Sequence, residues 1–189
     1  MFILCKYVFV TVMHCNFYSH ISFAQISMLT IRTATNEDIR TIHQLAHTIW
    51  YPTFGEILSP EQIAYMLGVM YDPSALEKQM EQGHIFLMAE VDGRSVGYVS
   101  YEQKSSETVH IHKIYLLPET QGKGFGRLLL AEIESCARGL GAIALELCVN
   151  RYNSARRMYE KTGFVIVREE DFPIGPYWMN DFVMRKEIV

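Results

Sequence analysis

The spacing of apolar and polar positions divides the chain into clear pieces from Met28 onward. Leu29 to Thr33 reads as a short strand. Thr35 then offers an N-cap, Glu37 and Asp38 fill a first turn, and Ile39, Ile42, Leu45, Ala46 and Ile49 recur at helical spacing. Pro52 and Gly55 interrupt that pattern, so Trp50 to Leu58 reads as a loop. Ser59-Pro60-Glu61 opens a second helix with proline at its first position, and Asp72-Pro73 opens a third that ends near Gly83. The apolar runs 84–91 and 95–102 flank Asp92-Gly93, a strong hairpin signal.

Another strand, VHIHKIYLL, runs into a turn holding Gly122, Gly124 and Gly126. Arg127 to Arg138 follows as an amphipathic helix with Leu128, Leu129, Ile133 and Cys136 toward a sheet, closed by Gly139 and Gly141. Ala142 to Val149 reads as a buried strand and Asn153 to Lys161 as a helix stopped by Gly163. Residues 164–169 and 176–188 supply the last two strands. This order predicts a mixed α/β domain with several antiparallel pairs around a central parallel crossover.

Composition narrows the picture. A chain of 189 residues, 49% hydrophobic and 20% charged, suits one globular domain. A net charge of -4 argues against a general nucleic-acid binder. Residues 1–27 are apolar but broken by Lys6, His14, Asn16 and His20, too interrupted for a membrane-spanning helix. They read as an extension from a start site assigned too early; a signal peptide ending near Ser22-Phe23-Ala24 is the weaker alternative, because its positive leader is nearly missing. One domain is expected over 28–189. Cys5, Cys15, Cys136 and Cys148 form no CxxC pair, so reduced thiols in a cytoplasmic protein are expected.

The glycine turn fails two nucleotide signatures. Gly122-Lys123 is followed by Gly124, which rules out a Walker loop, and the sixth position counted from Gly122 is Arg127, which rules out a Rossmann fingerprint. The remaining pattern, Gln121-x-x-Gly124-x-Gly126 between a strand and a helix, still has the physics of an anion cradle. Glycines let a phosphate approach the amides, the helix start presents free N–H groups, and Lys123 and Arg127 add charge. An ordinary tight connection is the competing reading.

Here the chain resembles the GNAT superfamily of N-acetyltransferases, whose acetyl-CoA-binding motif is Q/R-x-x-G-x-G/A. "IYLLPETQGKGFGRLLL" is similar to the family's strand, turn and helix. "LCVNRYNSARRMYEKTGF" is similar to its second hallmark, and the likeness covers nearly all of 28–189. The resemblance implies a mostly antiparallel central sheet flanked by helices, with a splayed central parallel strand pair. It implies direct acetyl transfer from acetyl-CoA, as co-substrate and without metal, to a primary amine of a small molecule or peptide.

It also implies roles. Gln121, Gly122, Lys123, Gly124, Phe125, Gly126 and Arg127 would hold the CoA pyrophosphate. Leu116 and Leu117 would lie along its arm, with a backbone N–H near Leu116 on the acetyl oxygen. Asn153 would contact the cofactor or order its loop, or serve as a helix cap. Tyr159 would protonate the leaving thiolate; a core aromatic is the competing reading. Strand alternation places His110 and His112 on one face with Ile114 and Leu116, where one imidazole titrating near ~6.5 can accept the amine proton. A structural role competes there, and a His-x-His metal site lacks a third ligand in sequence.

Trp50, Tyr51, Phe54 and Tyr177 are candidates for the acceptor side, with Glu56, Glu169, Glu170 and Asp171 as counter-charge. Core aromatics and solvated carboxylates compete equally. The acidic run and "YWMNDFVMRK" look similar to bacterial polyamine acetyltransferases. The rival function is a non-catalytic acyl-CoA-sensing module of the same fold. A homodimer is left open; neither nucleic acid nor a membrane is an expected partner.

Overall fold

The computed structural model describes residues 8–11, by their backbone, and residues 28–188. The strands are β1 (Val8–Thr11), β2 (Met28–Thr33), β3 (Ile85–Val91), β4 (Arg94–Gln103), β5 (Thr108–Leu116), β6 (Ala144–Asn150), β7 (Val165–Ile174) and β8 (Tyr177–Glu187). They form one sheet in the order β1-β2-β3-β4-β5-β6-β8-β7. Among the described residues only β5 and β6 run parallel; every other neighbour is antiparallel. The expected mixed sheet with a central parallel pair is present. The extension expected over 1–27 lies mostly outside the described residues, but its residues 8–11 pair with β2 from Val8↔Ile31 to Thr11↔Met28.

Among the described residues, five α-helices cover the sheet: α1 (Ile39–Phe54), α2 (Pro60–Tyr71), α3 (Pro73–Glu81), α4 (Phe125–Gly139) and α5 (Arg156–Lys161). The caps act as the sequence indicates. The hydroxyl of Ser59 accepts from the Gln62 N–H at 3.2 Å, and Asp72 accepts from the Ser74 N–H at 3.0 Å. Asp92 and Gly93 both have positive φ, 51° and 77°, as a two-residue hairpin turn of matching twist requires.

Three boundaries differ from the pattern. Helix α1 continues through Pro52 to Phe54, where the sequence suggests a loop. Pro52 lies only two residues from the end, so the donor it lacks belongs to the last turn. Continuing the helix buries Trp50 and Phe54, each worth about 1.5–3 kcal/mol. Helix α4 begins at Phe125, before Arg127, and buries Leu129, Leu130, Ile133 and Ala137; Leu128 is only partly covered. Helix α5 begins at Arg156, because Asn153 holds a turn with its side chain: Oδ1 accepts from the Ala155 N–H at 2.9 Å.

The largest departure is a β-bulge. Ser100 pairs with Lys113 but Tyr101 pairs with Ile111, so His112 is the extra residue on β5. The alternation slips there. His110 and His112 share a face with Lys113 and Tyr115, the face packed by α1 to α3. Ile114 and Leu116, expected beside the histidines, lie on the opposite face.

Candidate active site

Strands β5 and β6 pair only from Thr108↔Ala144 to Ile111↔Leu147. Beyond that point β5 runs on to Leu116 and β6 to Asn150 without touching, which opens a wedge in the middle of the sheet. A cleft of about 970 Å³ passes through it. The glycine turn and α4 border one end, and α1, α2 and the start of α5 complete the wall.

At the glycine turn the donors are unused. The Gln121 N–H donates to Pro118 O at 3.2 Å and the Arg127 N–H to Gly124 O at 3.1 Å. Among the described residues, the N–H groups of Gly122, Lys123, Gly124, Phe125 and Gly126 between them donate to no protein atom. Gly122 and Gly124 hold φ of 74° and 86°, the left-handed region that turns successive amides to one side. A Cβ on Gly126 would stand 2.8 Å from Met158 Sδ, so that glycine sets how closely α4 approaches α5. Arg127 borders the cleft; Lys123 and the buried Phe125 border a neighbouring hollow.

The splayed edge of β5 presents one more donor. The Leu117 N–H is bonded to Val96 O at 2.8 Å, so the N–H and C=O of Leu116 point away from β4, toward the gap. Gln121 Nε2 occupies that carbonyl at 3.0 Å. Gln121 thereby ties the turn to the strand.

The two histidines have different surroundings. His110 Nδ1 stands 3.5 Å from Glu146 Oε1, whose carboxylate also receives Lys104 Nζ at 2.9 Å. Burial lowers the His110 pKa, Lys104 lowers it further, and Glu146 opposes both. Burial works to raise Glu146, but Lys104, His110 and Arg168 outweigh it and hold the carboxylate below its ordinary range. His112 is lowered to about 3, first by burial and then by His110, His84 and Lys113. It therefore stays neutral at every physiological pH.

Neighbours that could share a metal with His112 do exist, but His110 is not among them. Strand pairing brings Glu102 to 3.1 Å from His112 Nε2, and His84 stacks on His112 with ring centroids 4.3 Å apart. Ligand atoms of His84, Glu102 and His112 lie within 4.8 Å of one another, close enough to share an ion. Yet Lys113 stands on the same face and acts on both imidazoles, which opposes a cation there.

The other expected residues fall as follows. Tyr159 is buried, edge-on to Phe164 at 5.9 Å, and borders the cleft; burial pushes it up to about 12. Asn153 borders the cleft while its Oδ1 holds the turn. Trp50 and Phe54 border it too, as core residues stacked at 4.7 Å. Tyr51 and Tyr177 do not: Tyr51 faces solvent, and Tyr177 packs on Tyr65 at 5.5 Å. Glu169 and Asp171 are paired to Arg151, and Glu170 to Arg168. Cys148 opens onto the cleft, but desolvation by the surrounding protein, then Asp181, Glu170 and Glu146, push its thiol up to about 11.

Sequence reasoning missed four residues here. Glu146 and Tyr115 lie inside apolar runs. Lys113 is buried against Gln79, with its Nζ 2.6 Å from Oε1, and burial brings it down to about 8. Asp181, buried at the cleft wall, sits in an aromatic strand that gave no sign of a functional carboxylate.

The sequence model of the acetyltransferase (GNAT) domain matches residues 56–179. The chain belongs to the GNAT acetyltransferases. An uncharacterized N-acetyltransferase of Mycobacterium bovis is 33% identical over 134 residues, 70% of this chain and 86% of its own. The spermidine N(1)-acetyltransferase of Thermoplasma acidophilum is 26% identical over 164 residues, 84% of this chain and 97% of its own. The PaiA N-acetyltransferase of the same organism, solved in complex with coenzyme A, superposes with a TM-score of 0.73 at 27% identity, covering 84% of this chain and 98% of that one. The wedge between β5 and β6 is thus the central feature of an N-acetyltransferase fold.

Proposed function

We propose that this acetyltransferase moves an acetyl group from acetyl-CoA directly to a primary amine, in the cleft between β5 and β6. The observation that carries the reading is the row of five unbonded amides at the start of α4, beside a strand whose open edge offers the Leu116 N–H. Those amides with Arg127 suit a diphosphate: most of the turn is open to solvent, so its donors are accessible, and an anion satisfies several together. The relative solved with coenzyme A supports the same donor. Acetyl-CoA, when bound, supplies an activated thioester.

The chain's residues then divide the work. The Leu116 N–H stabilises the oxygen that gains negative charge as the amine attacks. His110 receives the amine proton, and Glu146 orients it and stabilises the imidazolium that results. His112 is too weak a base to share that task. Tyr159 stands at the leaving sulfur. A phenol at about 12 is a weaker acid than a thiol near ~8.5, so complete transfer to the thiolate runs uphill. Its contribution is a hydrogen bond that strengthens as the sulfur gains charge. The protonated Cys148 thiol supports direct transfer over an acetyl-cysteine intermediate.

The acceptor is a small-molecule or peptide amine, with a polyamine favoured by the spermidine-acetylating relative. Acetyl-CoA turnover across an amine panel, read as thiol release, tests the reading. Release that no amine accelerates would leave the non-catalytic acyl-CoA-binding module.

A further inference from the structure

Two acids line the cleft itself, the exposed Glu56 and the buried Asp181, and the acids around Asp181 are neutralised. Arg151 holds Asp171 at 2.6 Å and Glu169 at 3.4 Å; Arg168 holds Glu170 at 3.0 Å. Glu146 has Lys104 and His110. Asp181 is the exception. It lies in β8 opposite Asn150 of β6 and Glu170 of β7, so the sheet fixes its backbone from both sides. It is 5% exposed and borders the cleft. Its Oδ1 is buried with no hydrogen-bond partner. The nearby cation, Arg151, acts on it through space while its guanidinium engages the two β7 carboxylates.

The Asn150 side chain hydrogen-bonds the carboxylate, which leaves Oδ1 unfilled. A buried carboxylate oxygen without a donor is unfavourable, and such groups persist where a ligand completes them. The surroundings indicate what kind. Tyr115, which feels the Asp181 charge, borders the cleft with Phe172 and Met179, which offer aromatic and thioether surface. A carboxylate walled by aromatic faces suits an alkylammonium ion: the charge meets the carboxylate and the polarised CH₂ groups meet the rings. An anionic acceptor is repelled by Asp181 and by the paired acids behind it.

We propose that Asp181 anchors a positively charged nitrogen of the acceptor, so that this enzyme selects amines that enter the cleft as cations. The inference rests on reading the cleft as the site of amine acetylation, and it adds the residue that sets the charge preference.

The test compares a linear diaminoalkane with an arylamine, which is uncharged at neutral pH. For Asp181→Asn, kcat/KM for the diaminoalkane relative to the arylamine should fall roughly ten- to a hundredfold, the size of one charged hydrogen bond. The fall should appear in KM more than in kcat. Asp181→Glu, which keeps the charge, should recover part of the ratio. Calorimetry of the diaminoalkane with the CoA-loaded protein should show affinity weakened in Asp181→Asn and partly restored in Asp181→Glu. An unchanged ratio with unchanged affinity overturns the assignment, as does an equal loss for both acceptors, which would make Asp181 structural. The two readings fail separately. Asp181-dependent diaminoalkane binding without turnover removes the acetylation reading alone; turnover indifferent to the charge at position 181 removes this one alone.

Discussion

The two ends of the cleft are made of different material. The donor end is main chain: five unbonded amides, two left-handed glycines and one strand edge, all within residues 116–127. The acceptor end is side chains: His110, Glu146, Lys113, Tyr115 and Asp181, drawn from β5, β6 and β8, most of them buried. A backbone cradle suits the role proposed for it, recognition of a group that is the same in every turnover, and its donors need no titration. A side-chain wall can be altered one residue at a time, and it carries the perturbed groups: His112 near 3, Asp181 near 6, Lys113 near 8 and Tyr159 near 12. Damage at the donor end should therefore appear as lost CoA affinity, and damage at the acceptor end as lost rate or acceptor binding.

The largest effect is expected at the acceptor end, from His110→Ala. Removing a positioned base costs on the order of a hundred- to ten-thousandfold in kcat, with little change in CoA affinity. His112→Ala should cost far less, because an imidazole near 3 is too weak a base to hold the amine proton. Steady-state kinetics of both variants across pH checks this. Equal losses from the two would break the distinction between the histidines.

Asp181 supplies the next effect, in stability. Its folded pKa of about 6 lies above the ordinary 3.8, so the folded state binds this proton more tightly than the unfolded chain. Below 3.8 the group is neutral in both states and costs nothing. As pH rises from about 4 to about 6 the unfolded chain ionises first and stability falls; above 6 the penalty is complete. It amounts to ~3 kcal/mol at most. Asp181→Asn should thus be more stable than the parent at neutral pH, with the gap closing toward pH 4. Denaturant titrations at both pH values measure it, and a gap that widens on acidification contradicts the assignment.

At the donor end, replacing both Gly122 and Gly124 by alanine forces two side chains into the left-handed region. At about 1–2 kcal/mol per residue, CoA affinity should fall roughly thirtyfold or more while the pH dependence of turnover is kept. Calorimetry with coenzyme A is the measurement. If affinity holds while the pH profile moves, the two ends are not separable in this way.

The same contrast explains what could be read in advance. A cradle made from consecutive residues leaves its spacing in the sequence, so Gln121, Gly124, Gly126 and the helix behind them stood out. The hairpin and the proline-led helices were legible for the same local reason. The acceptor wall depends on register. One extra residue, His112, slips the alternation of β5, and a period of two carries no sign of it. Nothing local distinguishes Asp181 from Asp171, ten residues earlier in the same hairpin; pairing with Arg151 neutralises Asp171 and leaves Oδ1 of Asp181 without a donor. Tyr51 and Tyr177 misled for the opposite reason, since an aromatic residue at the right position in the chain still has two faces on which to lie.

Tyr159 belongs to neither end, and its variant gives the smallest effect. It lies on α5 and borders the cleft. As a full proton donor its loss would cost as much as a general acid, and the cost would depend on pH. As a hydrogen-bond donor to a developing thiolate it contributes about 1.5 kcal/mol, and Tyr159→Phe should lower kcat roughly tenfold at every pH with CoA affinity kept. A phenol near 12 favours the second outcome, because it is never ionised in the working range and cannot impose a pH limb. A limb on the alkaline side that disappears in Tyr159→Phe would show instead that binding lowers the phenol toward neutrality, and that the acceptor end extends across the wedge to the sulfur.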